Sequence, residues 1–149
     1  MNDSERTHTL VNLSEERLML AEPAEDIRGF DVIDRHGDDI GSIEDLLVDD
    51  GDRKVRFMQV KSGGFLGLGG KTFHIPIDAI TSIHDGHVHI DQTREHVGGA
   101  PDYDPDVVAE EADVVRERGY YEGVYRHYGY SPFWAPGYVY PGYPHYGTP

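Results

Sequence analysis

Residues 71–91 decide the fold of this chain, and they read KTFHIPIDAITSIHDGHVHID. In their first half, apolar Phe73 and Ile75 alternate with polar Thr72 and His74. A period of two is typical of a β-strand that buries one face, because successive side chains of a strand point to opposite sides. The pattern therefore predicts a strand with Phe73 and Ile75 in the core and with Thr72 and His74 facing outward.

The second half of the stretch predicts a β-hairpin. Asp85-Gly86 is a dipeptide that accepts the positive φ angles of a two-residue turn, and it separates short runs over residues 82–84 and 87–91. Within the second run, the apolar side chains of Val88 and Ile90 share one side, so we expect that side to be buried.

The same pattern extends toward the N-terminus. Short apolar runs separated by turn residues begin at Asp26, at a spacing of about eight to twelve residues, and they predict strands over residues 29–34, 40–48 and 54–61. Six short antiparallel strands with a small core close best as a barrel, because closure leaves no strand edge unpaired. The predicted fold class is all-β, with a small barrel over residues 26–97. Its core is expected to be led by Phe57, Val60, Phe73, Ile75, Ile77, Ile80, Val88 and Ile90.

The regions that flank the predicted barrel differ from it in composition. Residues 1–25 are polar except for one weak amphipathic patch, and they predict an arm whose leucines dock on the domain. Residues 98–119 predict a loop and one helix, which has Asp104 as its N-cap and Gly119 as its C-cap. This helix carries an apolar stripe of valines that needs a second surface to cover it, so we expect a homo-oligomer.

Residues 120–149 are rich in aromatic side chains. They hold nine of the ten tyrosines together with Phe133 and Trp134, and prolines and glycines interrupt these rings. Leucine and isoleucine are absent from this stretch. The composition predicts a low-complexity, flexible and largely extended tail that contributes little to folding. Because aromatic rings bury a large area at a small entropic cost, we expect the tail to carry interactions with partners.

Charge and composition exclude several classes of function. The formal net charge is −15, from 28 acidic and 13 basic residues, and no basic run is present. Such a chain repels phosphate backbones, so we expect no nucleic-acid partner. The absence of cysteine excludes disulfides and thiolate chemistry. Residues 1–6 lack the features of a signal peptide, and no apolar run reaches the roughly 20 residues of a membrane span. These features predict a cytoplasmic protein with no membrane span.

Three pieces of the sequence, taken together, resemble the PRC-barrel family. They are RGFDVID with GDDIGSI (residues 28–34 and 37–43), KVRFMQV with GFLGLG (residues 54–60 and 64–69), and HIPIDAI with VHI (residues 74–80 and 88–90). The resemblance covers roughly residues 26–97 and implies a small β-barrel that acts as a protein-binding and assembly module. Family members include the cytoplasmic domain of the photosynthetic reaction centre H subunit and the C-terminal domain of a ribosome maturation factor. This chain has neither the membrane helix of the first nor the preceding domain of the second, so it resembles the stand-alone bacterial members.

Other motifs do not support catalysis. The glycine-rich residues 63–70 with Lys71-Thr72 resemble a P-loop, but the spacing is one residue off and a strand follows instead of a helix. The acidic turns at residues 38–39 and 49–52 do not match a calcium-binding loop. No nucleophile with a histidine base can be picked out. We therefore expect no enzymatic activity and no cofactor.

The last predicted hairpin is rich in histidine. His87, His89 and Asp91 share the outer side of one strand, and His84 lies across the turn. Outward strand positions are usually polar, and this remains the preferred interpretation. The alternative hypothesis is a metal site formed by His84, His87, His89 and Asp91, because imidazoles two residues apart on a strand can meet one metal ion and a carboxylate can complete the set. On that hypothesis, the chain is a small-ligand or metal-responsive accessory protein.

Overall fold

The computed structural model of the chain describes residues 10–16, 26–49, 51, 54–63, 71–101 and 119–141. Its strands are β1 (Leu10–Asn12), β2 (Asp31–Ile33), β3 (Asp39–Asp49), β4 (Lys54–Ser62), β5 (Thr72–Pro76), β6 (Ile80–His84) and β7 (His87–Ile90). Its helices are α1 (Leu13–Glu16), α2 (Arg94–Gly98) and α3 (Tyr120–Tyr128), and a 3₁₀ turn spans Ile77–Ala79. Across these ranges, none of the helices is both long enough and apolar enough to cross a membrane.

One curled sheet forms the body of the molecule. Its strand order is β5-β4-β3-β2-β7-β6, and β1 pairs with the far end of β3. The 11-residue β3 carries β1 and β2 on one edge and β4 on the other. Irregular register in these pairs marks β-bulges, which bend strands and increase their twist, so the sheet curls into a half-barrel. The predicted all-β, PRC-type barrel is confirmed.

The topology differs from six antiparallel strands in three ways. The pair β2–β7 is parallel, and β1 adds a strand that the polar composition of residues 1–25 did not indicate. The order of the described strands ends at β5 and β6, with no ladder between them. Along the chain, β5 and β6 are connected by the 3₁₀ turn over Ile77–Ala79. Pro76 lacks the N–H that a continued ladder needs, which explains why β5 ends there.

The tight turn between β6 and β7 has the geometry that its sequence predicts. Asp85 has φ of 53° and Gly86 has φ of 76°, as a two-residue turn of this kind requires. Phe57 and Val60 lie three residues apart in a regular stretch of β4 and therefore face opposite sides of the sheet, so placing both in one barrel interior is wrong. All eight residues of the predicted core are nevertheless buried. These are Phe57, Val60, Phe73, Ile75, Ile77, Ile80, Val88 and Ile90.

The N-terminal arm is part of the fold. Leu10 and Leu13 are buried, as expected of docking leucines. The Asp45 carboxylate on β3 accepts hydrogen bonds from the backbone N–H of Ser14 and from Asn12 Nδ2, each at 3.1 Å. These contacts hold β1 and α1 against β3.

The C-terminal residues differ most from their prediction. An extended tail is wrong for residues 120–128, because α3 forms there and buries Tyr121, Val124, Tyr125 and Tyr128. These positions follow the i, i+3, i+4, i+7 spacing of a helix with one buried stripe, in which tyrosines replace the usual leucines. Gly129, with φ of 81°, ends the helix. The helix predicted to start after Asp104 lies outside the described residues, as do residues 142–149.

Candidate functional site

The second layer of the molecule lies on β4 and β5. Gln59 on β4 is directly opposite His74 on β5, and Phe57 is opposite Pro76. Side chains opposite each other on neighbouring strands share a face, so these four form one side of the sheet. We call this side, together with Arg56, the outer face. Residues 120–141, the C-terminal segment, cover it.

Arg56 reaches the C-terminal segment because of a bulge in β4. Phe57 pairs with Leu47 and Val55 pairs with Val48, which leaves Arg56 as the extra residue of β4. A strand with one buried face would expose alternate residues, yet Val55, Arg56, Phe57 and Met58 are all buried. The C-terminal segment supplies the second cover that makes this possible.

His74 is buried although its position in the alternation predicts an outward side chain. Its Nδ1 lies 2.9 Å from the Tyr120 hydroxyl, and its Nε2 lies 3.2 Å from Gln59 Oε1. A carbonyl oxygen can only accept, so Nε2 donates to Gln59 and Nδ1 accepts from Tyr120. Burial lowers the pKa of His74 to about 3. The imidazole is therefore neutral near pH 7 and connects β5 to α3.

Aromatic rings of the C-terminal segment surround the guanidinium of Arg56. Its Nη2 donates to Asp49 Oδ2 at 3.1 Å, and the side chains of both residues are buried. The Arg56 Cζ lies 4.4 Å from the ring centroid of Phe133, 5.8 Å from that of Tyr138 and 5.3 Å from that of Tyr140. A cation over aromatic faces is attracted by the ring quadrupoles, and more strongly when water is excluded. This is the most specific contact between the barrel and the segment.

The helix α3 packs on the outer face through its rings. The centroid of the Phe57 ring lies 5.2 Å from that of Tyr121 and 4.9 Å from that of Tyr125. Trp134 stands edge-on against Tyr125 at 5.8 Å. Tilted and edge-on pairs at these distances are the favoured arrangements of aromatic side chains. Phe57 therefore belongs to the contact with the segment.

Tyrosine hydroxyls connect the end of the segment to barrel carboxylates. Tyr138 donates to Asp78 Oδ2 at 2.8 Å, and Tyr130 donates to Asp91 Oδ2. Burial raises the pKa of both tyrosines, and the neighbouring carboxylates raise it further. Both phenols thus stay protonated and act as donors. These bonds fix the register of the segment on the barrel.

Two histidines join α2 to α3. The rings of His96 and His127 stack with centroids 4.0 Å apart and an interplanar angle of 9°. His96 Nε2 lies 2.7 Å from the His127 backbone oxygen, and His127 Nε2 lies 2.6 Å from the His96 backbone oxygen. Both Nε2 atoms must donate, because a carbonyl oxygen has no proton to give. The pair closes the contact at the C-terminal end of α3.

The structure brings together part of the histidine set that the sequence singled out. The rings of His84 and His89 stack at 4.9 Å. His87 Nε2 instead lies 3.9 Å from the carboxylate of Asp31, and Asp91 is bound to Tyr130. Among the described residues, no three histidine, aspartate or glutamate side chains converge to hold a metal ion. The metal site of His84, His87, His89 and Asp91 stays a prediction.

A cleft lies beside this hairpin. It has a volume of about 360 Å³ and is lined by Asp34, Arg35, Thr81, Ser82, His89, Ile90 and Asp91. Two of the predicted ligands, His89 and Asp91, border it.

Asp34 is a buried carboxylate that the sequence did not single out. It accepts backbone N–H bonds from His36 at 2.8 Å, from Asp38 at 2.9 Å and from Arg94 at 2.9 Å. Burial alone would raise its pKa, but these three bonds outweigh burial and hold the pKa below its usual value. Asp34 joins the β2–β3 turn to α2. The signal was its place two residues before His36 of the His-Gly-Asp turn, where aspartate commonly accepts bonds from backbone N–H groups.

Two of the motifs considered in the sequence are not fully described. All of the glycine-rich loop except Gly63 lies outside the described residues, as do residues 50 and 52 of an acidic turn. Beyond the loop, Lys71 leads directly into β5, as the strand prediction requires.

Comparison with known proteins agrees with this architecture. The family model described as the PRC-barrel domain matches residues 19–97, more than half of the chain. A search of curated proteins found no match. The matched range ends before α3, so the C-terminal segment that covers the outer face lies outside the match to the family domain. The chain belongs to the PRC-barrel domain family.

Proposed function

We propose that this chain is a non-enzymatic protein-binding module that assembles with further copies of itself. PRC-barrel domains are general modules of protein interaction and assembly. Our proposal adds that the partner is another copy of this chain and that the outer face is the binding surface.

The observation that carries the proposal is the chemistry of the outer face. Three residues of this face contact the C-terminal segment. Arg56 makes a cation–π contact, Phe57 packs its ring against a ring of α3, and His74 makes a hydrogen bond to α3. Arginine and aromatic side chains with a few polar bonds are enriched at interfaces between proteins. The barrel therefore has a face that suits binding to an aromatic chain segment.

Four buried ionisable groups of the described ranges, Asp34, Asp45, Asp49 and His74, support a non-enzymatic role. Asp34 is used by three backbone N–H groups, Asp49 pairs with Arg56, and Asp45 holds the N-terminal arm. His74 is held between Gln59 and Tyr120. Each of these groups serves a structural contact, whereas a catalytic acid or base has to face a substrate.

Net charge predicts how self-association responds to salt. Two copies that each carry −15 repel each other, and salt screens that repulsion. Raising the salt concentration should therefore strengthen association, which is the opposite of its effect on a complex held by opposite charges.

Sedimentation of the full chain tests the proposal. At high micromolar concentration and moderate salt we expect a mean mass clearly above the 16.7 kDa of one copy, and a further rise as salt increases. The same chain at low micromolar concentration is the control. A strict 16.7 kDa monomer throughout would contradict the proposal.

A further inference from the structure

We propose that the C-terminal segment is exchanged between copies: residues 120–141 of one copy dock on the outer face of a second copy, and the reverse contact completes a two-fold dimer. This inference rests on the proposed self-association and names its surface. The partner is thus a second copy of this chain.

The contact between the C-terminal segment and the barrel can form within one copy or between two copies. On the barrel side it involves Arg56, Phe57, His74, Asp78 and Asp91, which contact rings or hydroxyls of the segment. No contact in this set depends on which copy supplies the segment. A second copy can therefore reproduce all of it without new geometry.

The segment is also separate from the barrel in sequence. The PRC-barrel match ends at residue 97, and residues 102–119 lie between Pro101 and the start of the segment. A segment that follows such a connection can dock on its own barrel or on another one. Exchange of an identical element between copies is an inexpensive route to a dimer, because the contacts already exist in one chain.

Concentration decides between the two arrangements. A short connection within one chain gives the segment an effective concentration of about 1 mM near its own barrel. Docking within one copy therefore dominates in dilute solution, and exchange becomes measurable when the chain concentration approaches that value. We therefore expect this chain, with its net charge of −15, to be monomeric when dilute and to associate when concentrated.

A crosslinking experiment on full-length chains tests the exchange. The chain has no cysteine, so one introduced cysteine gives one defined attachment point. Lys54 Nζ lies 4.7 Å from the ring centroid of Tyr140, and Lys54 is at the exposed start of β4. Chains carrying Lys54→Cys are mixed with mass-tagged chains carrying Tyr140→Cys and treated with a short bis-maleimide crosslinker.

Ser42→Cys in place of Lys54→Cys is the matched control. Ser42 is exposed and lies seven residues along β3 from Asp49, the partner of Lys54, which places it about 20 Å away. At high micromolar concentration we expect the crosslink between positions 54 and 140 of different copies to exceed the control crosslink by about tenfold or more.

A second variant increases the fraction of chains whose outer face is open to a segment from another copy. Val124 is fully buried in the contact, and Val124→Asp on the Lys54→Cys chain should undock that chain's own segment and leave its outer face open. The crosslink to the Tyr140→Cys chain should then appear at about tenfold lower concentration, because the competing segment is gone.

The outcomes separate the two proposals. If the mixtures sediment as dimers but the crosslink between positions 54 and 140 does not exceed the control, the dimer uses another surface, so the exchange is wrong and self-association stands. If the chains sediment as monomers and no crosslink between copies forms, both proposals are wrong. An excess of the crosslink over the control supports both.

Discussion

The two faces of the β4–β5 pair are both buried, but by different means. The inner face carries Met58, Val60, Phe73 and Ile75, which are paired across the strands and fully buried by the curl of the sheet itself. The outer face carries Arg56, Phe57, Gln59 and His74, and it is covered by a segment that lies outside the family domain. The inner face can become exposed to water only if the barrel unfolds. The outer face, which mixes aromatic rings with hydrogen bonds as an interface between proteins does, can become exposed when the C-terminal segment undocks.

The largest loss in the free energy of unfolding is expected from a substitution on the inner face. Phe73→Ala removes a fully buried ring from the barrel interior, where no other segment can move in to fill the space. We expect a loss of about 3–5 kcal/mol in the free energy of unfolding, enough to unfold a marginal domain. Urea unfolding followed by circular dichroism measures this. A variant that melts within a degree or two of the original chain would show that the inner face is assigned wrongly.

On the outer face, Val124→Asp should uncover the sheet while the barrel stays folded. A buried unpaired carboxylate is costly enough that the segment undocks instead, so we expect a loss of about 2–3 kcal/mol, the free energy of docking. Emission from Trp134, the single tryptophan, should shift to the red as this residue becomes exposed.

Val139→Asp is the matched control for that substitution. Val139 lies in the same segment but is 82% exposed, so the same change should alter stability by less than about 0.5 kcal/mol. If Val124→Asp instead abolished the cooperative unfolding of the barrel, the segment would be an inseparable part of the core.

Protonation of His74 should weaken the outer face in acid. Its pKa is about 3 in the folded chain and about 6.5 when unfolded, so the unfolded state binds the proton more tightly. The stability that neutral His74 contributes is present above pH 6.5 and is lost as pH falls from 6.5 toward 3. At pH 5 the loss is about 2 kcal/mol relative to pH 7.5.

His74→Gln provides the comparison, because glutamine can hydrogen-bond with Gln59 and Tyr120 but does not titrate between these pH values. Unfolding of both chains is measured in urea at pH 7.5 and pH 5. We expect the variant to lose less stability on acidification than the original chain. Equal losses would mean that His74 has the same pKa in the folded and the unfolded chain.

The smallest change in stability is expected from adding metal to the histidine-rich β6–β7 hairpin, which belongs to neither face of the β4–β5 pair. The metal hypothesis predicts that Zn²⁺ shifts the imidazole NMR signals of His84, His87 and His89 together and saturably. Because Asp91 is bound to Tyr130, we expect weak shifts of His84 and His89 only, with a change in stability below about 0.5 kcal/mol. Joint saturation of all three signals, lost in His84→Gln, would establish the metal site instead.

The outer face shows where prediction from sequence had to stop. His74 alternates with Phe73 and Ile75, and alternation reports only which side of a strand a residue is on. Whether that side meets water depends on Tyr120, which is 46 residues away in sequence. The helical spacing of Tyr121, Val124, Tyr125 and Tyr128 was visible, but glycines and prolines nearby favoured an extended tail. The parallel pairing of β2 with β7 likewise depends on distant parts of the chain.

The sequence by itself determined the strands β2 to β7, the Asp85-Gly86 turn, the inner core and the family, because these follow from periods of two and from turn chemistry over a few residues. Only the tertiary structure decided that the outer face is covered, that Arg56 and His74 are buried, and that the first nine of the tyrosine-rich residues form a helix. Covering a face requires contacts between residues far apart in sequence. Such contacts leave no local pattern, since their entropic cost is offset only once the sheet that receives them has formed.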